Sequence, residues 1–314
     1  MLNYKLCSRL IRVATAAAMT ASADTLPGRL SRCPRPLCNS MRWFTASRAK
    51  DAAALCAAWQ AKWFSMVPHK VSSDTQFIRT TFRRLEGWCS DDAAYVTCWL
   101  MGFQHRAGLS AGVVEIGVYK GKYLSLLYQK ALQYGQPVVG IDEFEWSPRQ
   151  SALDALQNAF GSTQGLTLVA ANSRNLSADQ IIEMLGNVKA SFISVDGDHS
   201  AEGVENDLAL ARSVLAPGGI IAIDDFMNPR AMGVSEGVYR YFFKSGEASI
   251  APFVHTGNKL FVAEREYHAK YIEAISSAAT DNPNLPITKE FNHFRQLGPG
   301  YVEQHILKST VIII

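Results

Sequence analysis

Two short stretches concentrate groups able to do chemistry. In FISVDGDHSAEG, residues 192–203, four mostly apolar residues lead straight into Asp196, Asp198 and His199, and in IIAIDDF four apolar residues lead into Asp224 and Asp225. Carboxylates released by neighbouring strands into a partly dry crevice repel one another strongly unless a cation sits among them. An all-oxygen set of this kind favours a hard divalent ion such as Mg²⁺, which keeps water positions open to a substrate. Asp196, Asp224 and Asp225 are therefore candidate metal ligands. Imidazole titrates near neutrality, so His199, three residues past Asp196, is a candidate base. The competing reading is that His199 helps cap a helix beginning near Ser200. Asp198 reads as a turn residue.

The elements that must position these groups follow from the apolar pattern. Short β-rich runs stand at VVEI (113–116), VVGI (138–141), LTLVA (166–170), FISV (192–195) and IIAI (220–223), each continuously apolar as a strand covered on both faces must be. Helical stretches fill the gaps at 121–134, 150–160, 177–185 and 201–215. Strand and helix in alternation predict an α/β fold with a doubly wound, mostly parallel sheet. After a helix at about 234–244, SIAPFV and KLFVAE predict an antiparallel hairpin at the sheet edge. Beyond about 265 the pattern gives one helical stretch and then a Pro- and Gly-punctuated region with no assigned place. Upstream, DAAALCAAWQAKWF reads as a helix, and SDDAAYVTCWLMGFQHRA as a better one capped by Ser90, with Val96, Trp99, Leu100 and Phe103 on one core-facing side.

Ligands of such sheets bind at the carboxyl ends of the strands. The first strand leaves through EIGVYKGKYL, with Glu115, Gly117 and Gly121. This G-x-x-x-G is not the G-x-G-x-x-G of a dinucleotide site, although a glycine turn still lets a ligand lie against the backbone. A tight strand-to-helix turn explains it equally well. Asp142 ends the second strand, where a carboxylate can accept two hydrogen bonds from a ribose diol or simply cap a turn. After the third strand, Asn172 and Ser173 can meet an adenine edge or be ordinary loop residues. MNPRAMGVSEGVYRYF follows the fifth strand on the acceptor side, with Arg230 a handle for an anionic or sugar substrate, or a solvated loop.

VVEIGVYKG, GID, ISVDGDHSAEGVENDL, LAPGGIIAIDDF, GVSEGVYRYF and APFVHTGNKLFV together resemble a class I S-adenosylmethionine-dependent methyltransferase, in the metal-dependent branch of macrolide-sugar and catechol-type O-methyltransferases. The resemblance spans about residues 85–265. It implies that Glu115, Gly117 and Gly121 line the methionine end of S-adenosylmethionine, that Asp142 takes the ribose hydroxyls and that Ser173 lies near the adenine. It also implies Asp196, Asp224 and Asp225 as metal positions and a histidine such as His199 as base. Catechol-type enzymes have an amide where Asp225 stands, so this third carboxylate is a departure, and successive strand side chains point oppositely unless the backbone twists at the exit. The expected reaction is methylation of a hydroxyl on a small molecule, sugar or phenol. The alternatives are a nicotinamide-dependent oxidoreductase, against which the missing fingerprint counts, and a non-catalytic binding module, which would be expected to lose the carboxylates.

Composition agrees with an enzyme body behind a basic leader. Of 31 Lys and Arg, nine fall in residues 1–50, against one of the 28 acids, which leaves 22 basic and 27 acidic groups and a net of −5 for the rest. That balance gives no electrostatic footprint for nucleic acid. The six cysteines contain no C-x-x-C, so neither a disulfide scaffold nor a zinc module is expected. No apolar run reaches the roughly eighteen residues that span a bilayer, so no membrane partner is expected. The expected organisation is a disordered or targeting-like leader over 1–50, N-terminal helices over 51–110, the methyltransferase domain over 111–265 and an extension over 266–314. A cytoplasmic location is expected because the donor is made inside cells. The Arg-rich leader read as a transit peptide would make it organellar. A homo-oligomer is compatible with the outer helices.

Overall fold

The computed structural model describes residues 71–244 and 249–314, all within the unit Pro68–Ile314. The leader, the helix expected from Asp51 and the first four cysteines lie outside the described residues.

The five apolar runs form β1 (Gly112–Ile116), β2 (Val138–Asp142), β3 (Leu166–Ala170), β4 (Ala190–Val195) and β5 (Leu215–Ile223). All are parallel, in the order β3-β2-β1-β4-β5. Their side chains alternate between two apolar layers: Val113, Phe192 and Ile220 enter one, and Val114, Ile193 and Ile221 the other. Covering both faces is what makes the runs of β1, β2, β4 and β5 continuously apolar, whereas β3, at the sheet edge, is only half-buried, with Thr167 and Ala170 exposed. LAPGG lies inside β5, where the register with β4 shifts between Ala190 and Phe192 and Gly218 takes a φ of 71°.

Among the described residues the helices are α1 (Val71–Thr80), α2 (Asp91–Arg106), α3 (Lys122–Tyr134), α4 (Arg149–Phe160), α5 (Ala178–Met184), α6 (Ala201–Val214), α7 (Met232–Lys244), α8 (His268–Asp281) and α9 (Pro286–Leu297). Ser90 caps α2 by accepting from the Ala93 N–H, with Asp91 and Asp92 in the first turn. The α2 face is core as expected: Val96 and Leu100 are buried and Trp99 and Phe103 pack against them.

The expected edge hairpin is β6 (Ile250–Thr256) and β7 (Lys259–Glu264), joined by the two-residue turn Gly257-Asn258, and β7 runs antiparallel to β5. The region after 265 holds two helices and a second hairpin, β8 (Glu303–Ile306) and β9 (Ser309–Ile313), which extends the sheet to β5-β7-β6-β9-β8. The strand order reverses between β1 and β4, and the crevice opens there.

Candidate functional site

The ladder continues one residue beyond the strands and sets the exits side by side. Gly117 N–H donates to Ile141 O at 2.8 Å, Asp196 N–H to Ile116 O at 2.8 Å and Asp224 N–H to Val195 O at 2.9 Å. Gly117, Asp196 and Asp224 therefore stand in a row across β1, β4 and β5. The fit is close: at Gly117, φ 89°, a Cβ would lie 1.8 Å from Asp196 O. Only a residue without a side chain lets these two exits meet.

A cavity of about 760 Å³ opens over this row, within the size range of small-molecule sites. It is lined by Glu115, Gly117, Asp142, Ser173, Asp196, His199, Asp224 and Asp225. Of the residues expected to hold the cofactor or metal or to act as base, all but Gly121 are on its wall. Gly121 instead precedes α3, where an added Cβ would press on Leu156 and Ala152 of α4. Arg230 is exposed and also off the wall, because the segment after β5 leads into α7, which packs on α6.

At the β1 end, Glu115 is 1% exposed and its Oε2 has no hydrogen-bond partner. Burial, reinforced by Asp196, pushes its carboxyl well above the usual range. Asp142 Oδ2 accepts from the Val118 and Tyr119 N–H groups at 2.7 and 2.8 Å, and Oδ1 from the Phe144 N–H. Asp142 thus braces the turn after β1, and Oδ1, with a single donor, keeps capacity for another. Ser173 Oγ donates to Asp207 at 2.6 Å. Trp88 stacks on Tyr119 at the rim, 5.5 Å between centroids. Burial pushes the Cys89 thiol up to about 12, so this wall residue offers no thiolate at neutral pH.

At the β4–β5 end, one ligand atom each from Asp196, His199 and Asp225 lies within 4.8 Å of the others. His199 Nε2 is 3.5 Å from Asp196 Oδ1 and 3.6 Å from Asp225 Oδ2. Capping of α6 falls to Ser200, which accepts from the Gly203 N–H, and Asp198 braces that serine and pairs with Arg174. Asp198 is the turn residue the sequence suggested, and the imidazole is left to the carboxylates. Its bond to Asp196 raises the His199 pKa against the opposing effect of burial. Burial and the charge of Asp224 raise Asp196 to about 7. Asp225 joins the group because its φ of 57° turns its side chain away from the strand alternation. Its Oδ1 accepts from the Asn228 amide at 2.7 Å and from the Asn258 amide.

Asp224 does not belong to this trio. It is 8% exposed, and its Oδ2 lies 3.1 Å from Nζ of Lys259, an ion-pair contact without hydrogen-bond alignment. Lys259 is 1% exposed and sits 4.1 Å from the centroid of the Tyr123 ring. Burial alone would lower its pKa, but Asp224, Tyr123 and Asp196 together raise it. Asn258, Lys259, Tyr123, Trp88 and Asn228 are the site residues that sequence reasoning missed. A usable signal existed for Lys259: with β7 antiparallel to β5 and Ile223 opposite Leu260, the next pair along the ladder is Asp224 and Lys259.

Residues 114–226 match a family described as a methyltransferase domain. No curated protein matches the chain in sequence. Among solved structures, the O-methyltransferase NovP is 12% identical over 55% of this chain and 80% of its own, with a TM-score of 0.47. CalS11, a TDP-rhamnose 3′-O-methyltransferase, is 16% identical over 65% of this chain and 90% of its own, with a TM-score of 0.45. An O-methyltransferase from Bacillus cereus in complex with SAH is 18% identical over 66% of this chain and 96% of its own, with a TM-score of 0.42. The segment from β1 to the paired aspartates after β5, which supplies most of the cavity wall, is the part of the chain that matches the methyltransferase-domain family.

Proposed function

We propose that the protein moves the methyl group of S-adenosylmethionine to a hydroxyl oxygen of a small-molecule acceptor, with a divalent cation such as Mg²⁺ beside the acceptor. The observation that carries this reading is that one cavity joins both ends of the site. One end offers a buried acid with an unmet acceptor atom and a glycine wall, and the other offers two oxygen donors and an imidazole converging on one spot.

Glu115 and the backbone at Gly117 line the place for the methionine end of the donor, where Oε2 can accept from an ammonium. Asp142 holds the ribose hydroxyls while bracing the turn, and Ser173 borders the adenine. Asp196 and Asp225 fit a hard dication, and His199 stands beside them with its Nε2 facing the same spot. A bound dication would lower the pKa of an acceptor hydroxyl and hold that oxygen in place. His199, kept basic by Asp196, takes the hydroxyl proton as the oxygen forms its bond to the methyl carbon and the carbon–sulfur bond breaks. In such a displacement most of the rate comes from alignment of the two reactants, which the rigid row of strand exits supplies. A cytoplasmic location suits an enzyme that draws on this donor. Among the described residues no helix is long and apolar enough to cross a membrane.

Calorimetry with S-adenosylhomocysteine, with and without Mg²⁺, tests the reading. Binding of S-adenosylhomocysteine is expected. Binding of NADH without S-adenosylhomocysteine would overturn it.

A further inference from the structure

The tip of the β6–β7 hairpin reaches back under the exit of β5. Two adjacent tip residues each meet one of two adjacent aspartates: the Asn258 amide donates to Asp225 Oδ1, and the Lys259 ammonium lies 3.1 Å from Asp224 Oδ2. The two contacts differ in kind. Asn258 is neutral and leaves the charge of Asp225 whole, with Oδ2 facing His199. Lys259 brings a full charge into a place that water does not reach, where an ammonium is tolerated only against a carboxylate. The face of Tyr123 adds a second favourable contact for it.

We infer that Lys259 is a built-in counter-ion that takes Asp224 out of the ligand set, so that a dication here is held by Asp196 and Asp225, with His199 left free as the base, beside a neutral Asp224–Lys259 pair. The grouping of donor atoms supports this: one oxygen each of Asp196 and Asp225 converges beside His199, whereas Asp224, although it adjoins Asp196, has its Oδ2 on Lys259. Charge supports it too. Three aspartates and one lysine leave two negative charges, which one dication cancels. Lys259 is thus a positioning residue that sets both the ligands and the charge of the site. The inference rests on the reading that a dication binds between the exits of β4 and β5.

The test is Mn²⁺ binding to the full chain, followed by the electron paramagnetic resonance signal of free Mn²⁺ with no acceptor present, alongside thermal melting of each variant. The double variant Asp224→Asn/Lys259→Met replaces one neutral pair by another of similar size, an exchange buried ion pairs often tolerate. It is expected to bind Mn²⁺ within about threefold of the parent, the scatter of independent effects. Lys259→Gln keeps a hydrogen-bond donor toward Asp224 but frees its charge, and is expected to bind Mn²⁺ about tenfold or more tighter. A double variant about tenfold or more weaker, the cost of disturbing a metal site directly, overturns the inference, as does a Lys259→Gln variant that binds no tighter. A parent that binds no Mn²⁺ instead removes the dication reading, and this inference with it.

Discussion

The contact between the exits of β1 and β4 makes Gly117→Ala the most informative substitution. A Cβ there must recede from Asp196 O, 1.8 Å away, to at least 3.0 Å, a displacement of 1.2 Å imposed on backbone that cannot rotate aside. Crowding of this kind costs about 1–3 kcal/mol. Holding an alanine at positive φ costs about 1–2 kcal/mol more. Gly161, at the end of α4, separates the two contributions: its φ is 71° and nothing lies within 4 Å of its Cβ position, so Gly161→Ala carries the conformational cost alone. Urea unfolding should therefore show Gly117→Ala less stable than Gly161→Ala by about 1–3 kcal/mol. The shift also moves Asp196 relative to Glu115, and a displacement of about 1 Å in a reacting constellation costs on the order of 100-fold in rate. Calorimetry should find S-adenosylhomocysteine binding weakened in Gly117→Ala and intact in Gly161→Ala. Equal stabilities and equal affinities would refute the idea that the two exits are locked together.

Asp196→Ala should abolish dication-dependent methyl transfer. His199→Ala should lower turnover by about 10²- to 10⁴-fold and shift its pH profile, as loss of a general base does; unchanged turnover in both would remove the mechanism and leave the fold. Because Asp196 is raised to about 7, protons compete with a cation for it, and Mn²⁺ affinity should fall toward about tenfold per pH unit below 7 and level off above. A flat profile between pH 6 and 8 would contradict that. In the absence of a cation the sign is fixed by the same shift. A carboxyl that holds its proton in the folded chain up to about 7 contributes stability at low pH that is lost as pH rises through that value, and Asp196→Asn should flatten this part of a melting-temperature profile. Asp142→Asn weakens two bonds from backbone N–H groups to a charged oxygen, each worth about 1.5–3 kcal/mol. It should lower both the melting temperature and the affinity for S-adenosylhomocysteine.

Much of the scaffold was legible because buried parallel strands have a plain signature. VVEI, VVGI, LTLVA, FISV and IIAI all fall in strands, and their exits carry the groups the sequence singled out. His199 was separable from the helix cap only in three dimensions, where Ser200 and Asp198 turn out to do the capping. Asp224 and Asp225 look equivalent in sequence. They part company because of a left-handed residue and a lysine 34 positions downstream of Asp225, neither of which periodicity reports. Gly121 was grouped with Gly117 by spacing, yet one turn further on it faces helix packing instead of the cavity. The chain after 265 stayed opaque because β8 alternates weakly and β9 pairs in parallel with β6, a partner more than fifty residues away.

The outer hairpin also implies an uneven mechanical behaviour. β8 is a largely exposed edge strand bonded only to β9, and no residue of either strand borders the cavity. Amide hydrogen exchange should therefore be fastest along the free side of β8 and slowest in β1 and β4. That edge can fray and re-zip without disturbing the place where donor and acceptor meet.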